Sequence, residues 1–107
     1  MSKQADIVLT PFPFTDLSGK KVRPALVLAV SRDDITVCFI SSIPSKKKLD
    51  NEVIVKESKN NGLKTKSIIK VTKIATLEKK VILGKLGYLD RINLIKVKNI
   101  IKKHFKI

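Results

Sequence analysis

Tryptophan is missing from this chain, and cysteine and histidine occur once each, as Cys38 and His104. One thiol cannot close an internal disulfide, and one thiol with one imidazole falls short of the ligand set a structural zinc needs. A His-based metal centre within one subunit is nearly excluded on the same count. Acidic residues are scarce, nine Asp and Glu against 23 Lys and Arg, and no carboxylates pair at a fixed spacing. There is no P-loop and no histidine near the middle of the chain to serve as a general base. Long apolar runs are lacking too. The longest, Ala25–Val30, is far short of the ~20 residues a membrane span requires. The opening Met1–Asp6 meets a carboxylate before any apolar stretch builds, which is not a signal-peptide pattern.

What is present is 43% hydrophobic and 30% charged over 107 residues, a globular composition sized for one domain spanning 1–107. The expectation is a small soluble cytoplasmic protein with no cofactor. The net charge is +14, and a field of that sign gathers polyanions. Charge alone does not settle the matter, because abundant Lys and Ile are also what an A+T-rich genome writes onto any surface. Only three basic residues are arginine, Arg23, Arg32 and Arg91, and these carry more information than the lysines.

Hydrophobic patterning divides the chain into short strands and one helix. Asp6–Pro11 reads as a strand ended by proline. Phe12–Lys21 reads as an exposed loop, with Asp16–Gly19 suited to a type I turn. Val22–Val30 is a second strand, and its run after Pro24 does not alternate, so both of its faces are expected to be covered. Ile35–Ile40 follows after a turn, antiparallel to the second strand. Ser41–Asp50 is a second loop, rich in turn formers and lysine. Glu52–Lys56 alternates as a strand, and Asn60-Asn61-Gly62 marks a turn. Ser67–Val71 and Ala75–Glu78 are two strands, or one strand bent near Thr72. Val81–Leu86 is another, closed by Gly87. Asp90 has the character of a helix N-cap, with the helix running to Phe105 and Leu94, Val97, Ile101 and Phe105 on one face. Ile92 and Ile95 fall outside that stripe and suggest contact on a second side. Short strands at this spacing, with one helix, predict a small bent antiparallel sheet or barrel whose closure would bury the edges.

Any chemistry must rest on Arg, Lys, Ser and Thr, which points to handling a phosphate. Arg23 leads. Pro24 holds it extended, and its guanidinium can grip a phosphodiester and stabilise charge developing at phosphorus. A carboxylate-pairing arginine at a strand start is the plainer alternative. Ser41 and Ser42, at the end of the third strand, can bond a phosphate oxygen or simply form a turn. Lys46-Lys47-Lys48 is either a solvated loop or an extension of the contact along a nucleic-acid strand. His104 suits the last helical turn, where a cation meets the helix dipole favourably, and Cys38 reads as a core thiol.

Asp6-Ile7-Val8-Leu9, Pro11-Phe12-Pro13-Phe14-Thr15-Asp16 and Lys21-Val22-Arg23-Pro24-Ala25-Leu26-Val27 together resemble the MazF/PemK-type toxins of bacterial toxin–antitoxin modules. The likeness continues through Phe39-Ile40-Ser41, Ser67-Ile68-Ile69 and Ile74-Ala75-Thr76-Leu77 to the last helix. It implies a mainly β fold, a small SH3-like antiparallel β-barrel with a C-terminal α-helix, acting as a homodimer. The implied activity is metal-independent endoribonuclease cleavage of single-stranded RNA. The implied partners are that RNA and an acidic antitoxin, with operator DNA bound only as the toxin–antitoxin complex and no membrane.

Within the resemblance, Arg23 stands at the catalytic arginine of the R-P motif and Ser41 at a catalytic or phosphate-binding hydroxyl. Lys70 stands near a basic residue that some members use, and Thr72 stands where some members place an aspartate. A carboxylate base is thus lacking at that position, and either catalysis leans on Arg23 and Ser41 or another group in the first loop, of which Asp16 is the nearest, helps. Phe14, Thr15, Asp16, Lys20, Lys21, Ser42, Lys46, Lys47, Lys70 and Thr72 are the expected substrate-binding set. Two other functions stay open: a non-catalytic nucleic-acid-binding barrel, and a poison of a protein such as DNA gyrase on the same fold.

Overall fold

A computed structural model describes residues 2–11, 21–42 and 49–107. Among these residues six strands, β1 (Asp6–Pro11), β2 (Val22–Val30), β3 (Asp34–Ser42), β4 (Glu52–Val55), β5 (Ser67–Glu78) and β6 (Gly84–Tyr88), precede one helix, α1 (Arg91–Phe105). They form a single antiparallel sheet in the order β4-β5-β3-β2-β1-β6, curled into a half-barrel. The expected loop Phe12–Lys21 and the turn Asp16–Gly19 lie almost wholly outside the described residues. Among the described residues no helix is long and apolar enough to cross a membrane.

The unbroken apolar run of β2 has the explanation its pattern suggested. Side chains alternate across a strand. Leu26 joins Ile7, Cys38, Ile40, Ile69 and Val97 in one core, while Ala25 and Val27 join Val8, Val37 and Phe39 in a second. β2 is therefore sandwiched between two apolar layers. Helix α1 covers the first layer with Val97 fully buried and Leu94, Ile100 and Ile101 packed against it. Asp90 caps it by accepting from the Asn93 backbone N–H at 3.1 Å.

Ser67–Val71 and Ala75–Glu78 are one strand, bent where the sequence suggested. The β3 partner jumps from Ile74 opposite Cys38 to Lys70 opposite Phe39, so Val71, Thr72 and Lys73 form a bulge. Val71 turns into the core and donates its N–H to Asn51 at 3.1 Å.

Three expectations need correction. The strand placed at Val81–Leu86 begins only at Gly84, because Lys79–Val81 winds into a 3₁₀ turn. Gly87 does not end that strand; it lies inside it, opposite Ile7. Phe105 is half exposed, edge-on to His104 with ring centroids 5.1 Å apart, because the last helical turn runs beyond the core.

Closure is also achieved differently from a continuous ladder. β4 and β6 end the sheet and do not pair with each other. Instead the segment 56–66, between β4 and β5, reaches across to β6, where Asn60 accepts from the Tyr88 N–H at 2.9 Å. Buried Asn61 shapes this segment: its Oδ1 accepts from Ser58 and Leu63, each at 3.0 Å, and its Nδ2 donates to Lys56 at 2.9 Å. Two glycines make the contact possible. A Cβ on Gly62, whose φ is +69°, would lie 2.1 Å from the Leu86 carbonyl oxygen, and one on Gly87 would lie 2.1 Å from that of Asn60.

Candidate active site

Arg23 enters the fold through its cross-strand neighbours. It sits opposite Thr10 on β1, and alternation places it on the face of Ala25. The β2–β3 ladder runs no further than Ala25 opposite Phe39, since Pro24 has no N–H to extend it. The strands part there, and a cleft of about 80 Å³ opens, lined by Arg23, Phe39, Ile40, Ser41, Lys70 and Lys73. Ser41 arrives from β3, opposite Ile68, and Lys70 from β5, opposite Phe39. Three strands thus deliver one hydroxyl and three cationic side chains to one small opening.

Of the residues singled out from the sequence, Arg23, Ser41 and Lys70 meet in this cleft. Ser42 does not share it and lines the adjoining cavity instead. Thr72 is exposed on the bulge and lines neither. Lys21 is exposed just before β2. Phe14, Thr15, Asp16, Lys20, Lys46 and Lys47 lie outside the described residues.

Two residues were missed. Lys73 reaches the cleft only because the bulge brings it back beside Lys70. In a regular strand Lys70 and Thr72 would share a face and Lys73 would lie on the other. Thr10, directly across from Arg23, is fully buried, and its hydroxyl has no hydrogen-bond partner among the described residues. Its position beside Arg23 follows from the hairpin register, which could have been counted from the two strands.

The cleft's chemistry is that of anion binding. No carboxylate lines it among the described residues, so a bound phosphodiester would meet positive charge and one hydroxyl. Buried Asp6 lies at the opposite end of β1 from Thr10 and has a structural role: it accepts from the Lys3 N–H at 3.0 Å and pairs with Lys85 Nζ at 3.2 Å. Cys38 is remote from such chemistry. Burial pushes its thiol up from the usual 9.0 to about 12, against a smaller lowering by a backbone hydrogen bond, so it stays a neutral core group.

A curled six-stranded antiparallel sheet with one C-terminal helix is a MazF-like fold. The chain matches the model of the PemK-like, MazF-like toxins of type II toxin–antitoxin systems over residues 3–105, and it belongs to that family. No curated protein matches the sequence. Among solved structures it is similar to Mycobacterium tuberculosis toxin MazF-mt6, with 21% identity and a TM-score of 0.75 over 95% of this chain and 97% of that one. It is also similar to MazF from Deinococcus radiodurans, with 15% identity and a TM-score of 0.78 over 99% and 97%. A third, an endoribonuclease in complex with its cognate antitoxin from Mycobacterial species, gives 12% identity and a TM-score of 0.77 over 100% and 97%.

Proposed function

We propose that this toxin is an endoribonuclease that cuts single-stranded RNA by attack of the ribose 2′-OH on the adjoining phosphorus, without a metal cofactor. The observation that carries the reading is the convergence of Arg23, Ser41, Lys70 and Lys73 on one cleft. In this reaction the substrate brings its own nucleophile. The protein must orient it in line, stabilise the five-coordinate phosphorus and manage two proton transfers. Arg23 holds the non-bridging oxygens and stabilises their added charge. A guanidinium offers five N–H donors and no acceptor, so the 2′-OH proton goes elsewhere. Ser41 donates to a phosphate oxygen, and Lys70 and Lys73 neutralise the strand on either side. The 5′-oxygen leaves with a proton, giving 2′,3′-cyclic phosphate and 5′-OH ends.

The structure of a similar endoribonuclease bound to its cognate antitoxin supports an antitoxin partner here, and a surface with this excess of lysine favours an acidic one. Exposed Ile92 and Ile95 favour a homodimer. The test is to incubate the purified protein with a long unstructured RNA in excess EDTA, beside Arg23→Ala. Fragments from the wild type alone, ending in 2′,3′-cyclic phosphate by mass spectrometry, are expected. Ends bearing 5′-phosphate would overturn the mechanism. RNA bound but left intact would make the protein a binding module. Intact, unbound RNA with inhibited DNA supercoiling would make it a protein poison.

A further inference from the structure

Among the described residues the buried polar side chains are those of Asp6, Thr10, Asn61 and Ser67. Asp6 pairs with Lys85, Asn61 bonds to the backbone of Lys56, Ser58 and Leu63, and the Ser67 hydroxyl donates to the Thr65 carbonyl at 2.8 Å. Thr10 is the exception, fully buried with a hydroxyl that has no hydrogen-bond partner among the described residues. A buried group left in that state costs stability. Valine, similar in shape and as good a strand former, would avoid the cost. The surroundings also suit valine: alternation sets Thr10 on the face of Val8, which packs in the second apolar layer with Ala25, Val37 and Phe39. A hydroxyl in such a place calls for a reason. The residue directly across the β1–β2 ladder from it is Arg23.

We infer that Thr10 is a positioning residue whose hydroxyl accepts a guanidinium N–H while Arg23 holds the phosphate, an inference that rests on the proposed cleavage of RNA. Counting donors supports it. A guanidinium carries five N–H donors, and a two-point grip on a phosphate uses two of them. Among the described residues no carboxylate lines the cleft, and Lys70 and Lys73 offer no acceptor. The Thr10 oxygen is an acceptor on the right face. Opposed residues of an antiparallel pair hold their Cβ atoms about 4.5–5.5 Å apart, a span that Nε, the guanidinium nitrogen nearest the backbone, can bridge. A bond at Nε fixes the plane of the fork and leaves both Nη groups to the phosphate. Pro24 sets where the side chain leaves β2, but several torsions remain between that point and the guanidinium, and the Thr10 oxygen restricts them.

Two variants separate the hydroxyl from the packing: Thr10→Val keeps the shape, and Thr10→Ser keeps the hydroxyl. On a long unstructured RNA at saturation, single-turnover cutting by Thr10→Val should slow ~10-fold or more. Its Kd for a 2′-deoxy copy of the strand, uncuttable for want of the nucleophile, should change far less. Thr10→Ser should recover most of the rate. A merely structural role predicts the reverse order, because valine suits the buried position better than serine. A second measurement does not use cleavage. In ¹⁵N NMR of the wild type, the Arg23 Nε–H, assigned through its loss in Arg23→Lys, should exchange slowly once the deoxy strand binds, and Thr10→Val should abolish that protection. A folded Thr10→Val that cuts at the wild-type rate, or Thr10→Ser as slow as Thr10→Val, would overturn the positioning role and leave RNA cleavage standing. A bound wild type whose Nε–H exchanges as fast as in Thr10→Val would do the same. RNA bound but left intact by the wild type would remove cleavage alone, with the NMR signal still deciding whether Thr10 holds Arg23. RNA neither bound nor cut would overturn both.

Discussion

Replacing Gly87 with alanine tests how the half-barrel is closed. The added Cβ would stand 2.1 Å from the Asn60 carbonyl oxygen, 2.7 Å from the Asn61 carbonyl carbon and 2.9 Å from the Asn61 Cα. All three are backbone atoms, so no side chain can rotate away. Ordinary contact begins near 3.4 Å, and segment 56–66 must retreat by more than an ångström to reach it. That retreat breaks the 2.9 Å bond from the Tyr88 N–H to Asn60, at a cost of about 1 kcal/mol. The strain left after relaxation is of the order of overpacking, about 1–3 kcal/mol. The sum is roughly 2–4 kcal/mol, or a fall in Tm of roughly 10–25 °C for a domain this small.

Gly84→Ala is the control, because a Cβ there meets nothing within 4 Å. It should stay within about 0.5 kcal/mol of the wild type or gain up to ~1 kcal/mol through the unfolded chain. Urea and thermal unfolding followed by circular dichroism measure both. Equal stability of Gly87→Ala and wild type would refute the claim that this glycine lets the loop close onto β6.

Arg23→Ala should lower single-turnover RNA cleavage by ~10²–10³-fold, and Arg23→Lys should recover little because the planar two-point grip is gone; near-wild-type rates for the alanine variant would remove Arg23 from the mechanism. Cys38 should resist a thiol reagent at pH 8 until urea unfolds the protein. Because its folded pKa is raised, to about 12 from 9.0, the stability tied to its proton is intact below pH 9 and lost as pH climbs towards 12, a loss that Cys38→Ala should not show. At Asp90 slight burial pushes the carboxyl up, but hydrogen bonds from Asn93 outweigh it and hold the pKa below 3.8. Its stabilisation is therefore present above pH ~4 and lost as pH falls through the folded value, and Asp90→Ala should cost about 1 kcal/mol at pH 7 but little in strong acid. Thr10→Val removes a buried hydroxyl that lacks a partner among the described residues and should stabilise the fold by about 1 kcal/mol in urea titration; destabilisation would show that the hydroxyl is bonded after all.

The parts of this fold that could be read from the sequence are those decided within a few residues. The two-sided burial of β2 follows from an apolar run that fails to alternate, and the start of α1 from Asp90 ahead of a helical stripe. Gly87 was misread as a strand end because its conformation is ordinary and its reason lies in Asn60, a neighbour only after folding. Phe105 keeps the spacing of the helix stripe, but spacing says nothing about where the core beneath a helix stops. The site divides in the same way. Arg23 was legible because Pro24, its immediate neighbour, both extends it and ends the ladder that would have closed the cleft. Lys73 was not, since three extra residues in β5 must be discounted before it falls beside Lys70. Thr72 was singled out through the family resemblance, which sets an aspartate there in some members, and the bulge leaves it exposed and outside the cleft. Under the proposed cleavage, a cleft whose described walls carry three cations and a hydroxyl supplies contacts to a phosphate and no carboxylate, so substrate and flanking loops are where the proton acceptor should be sought.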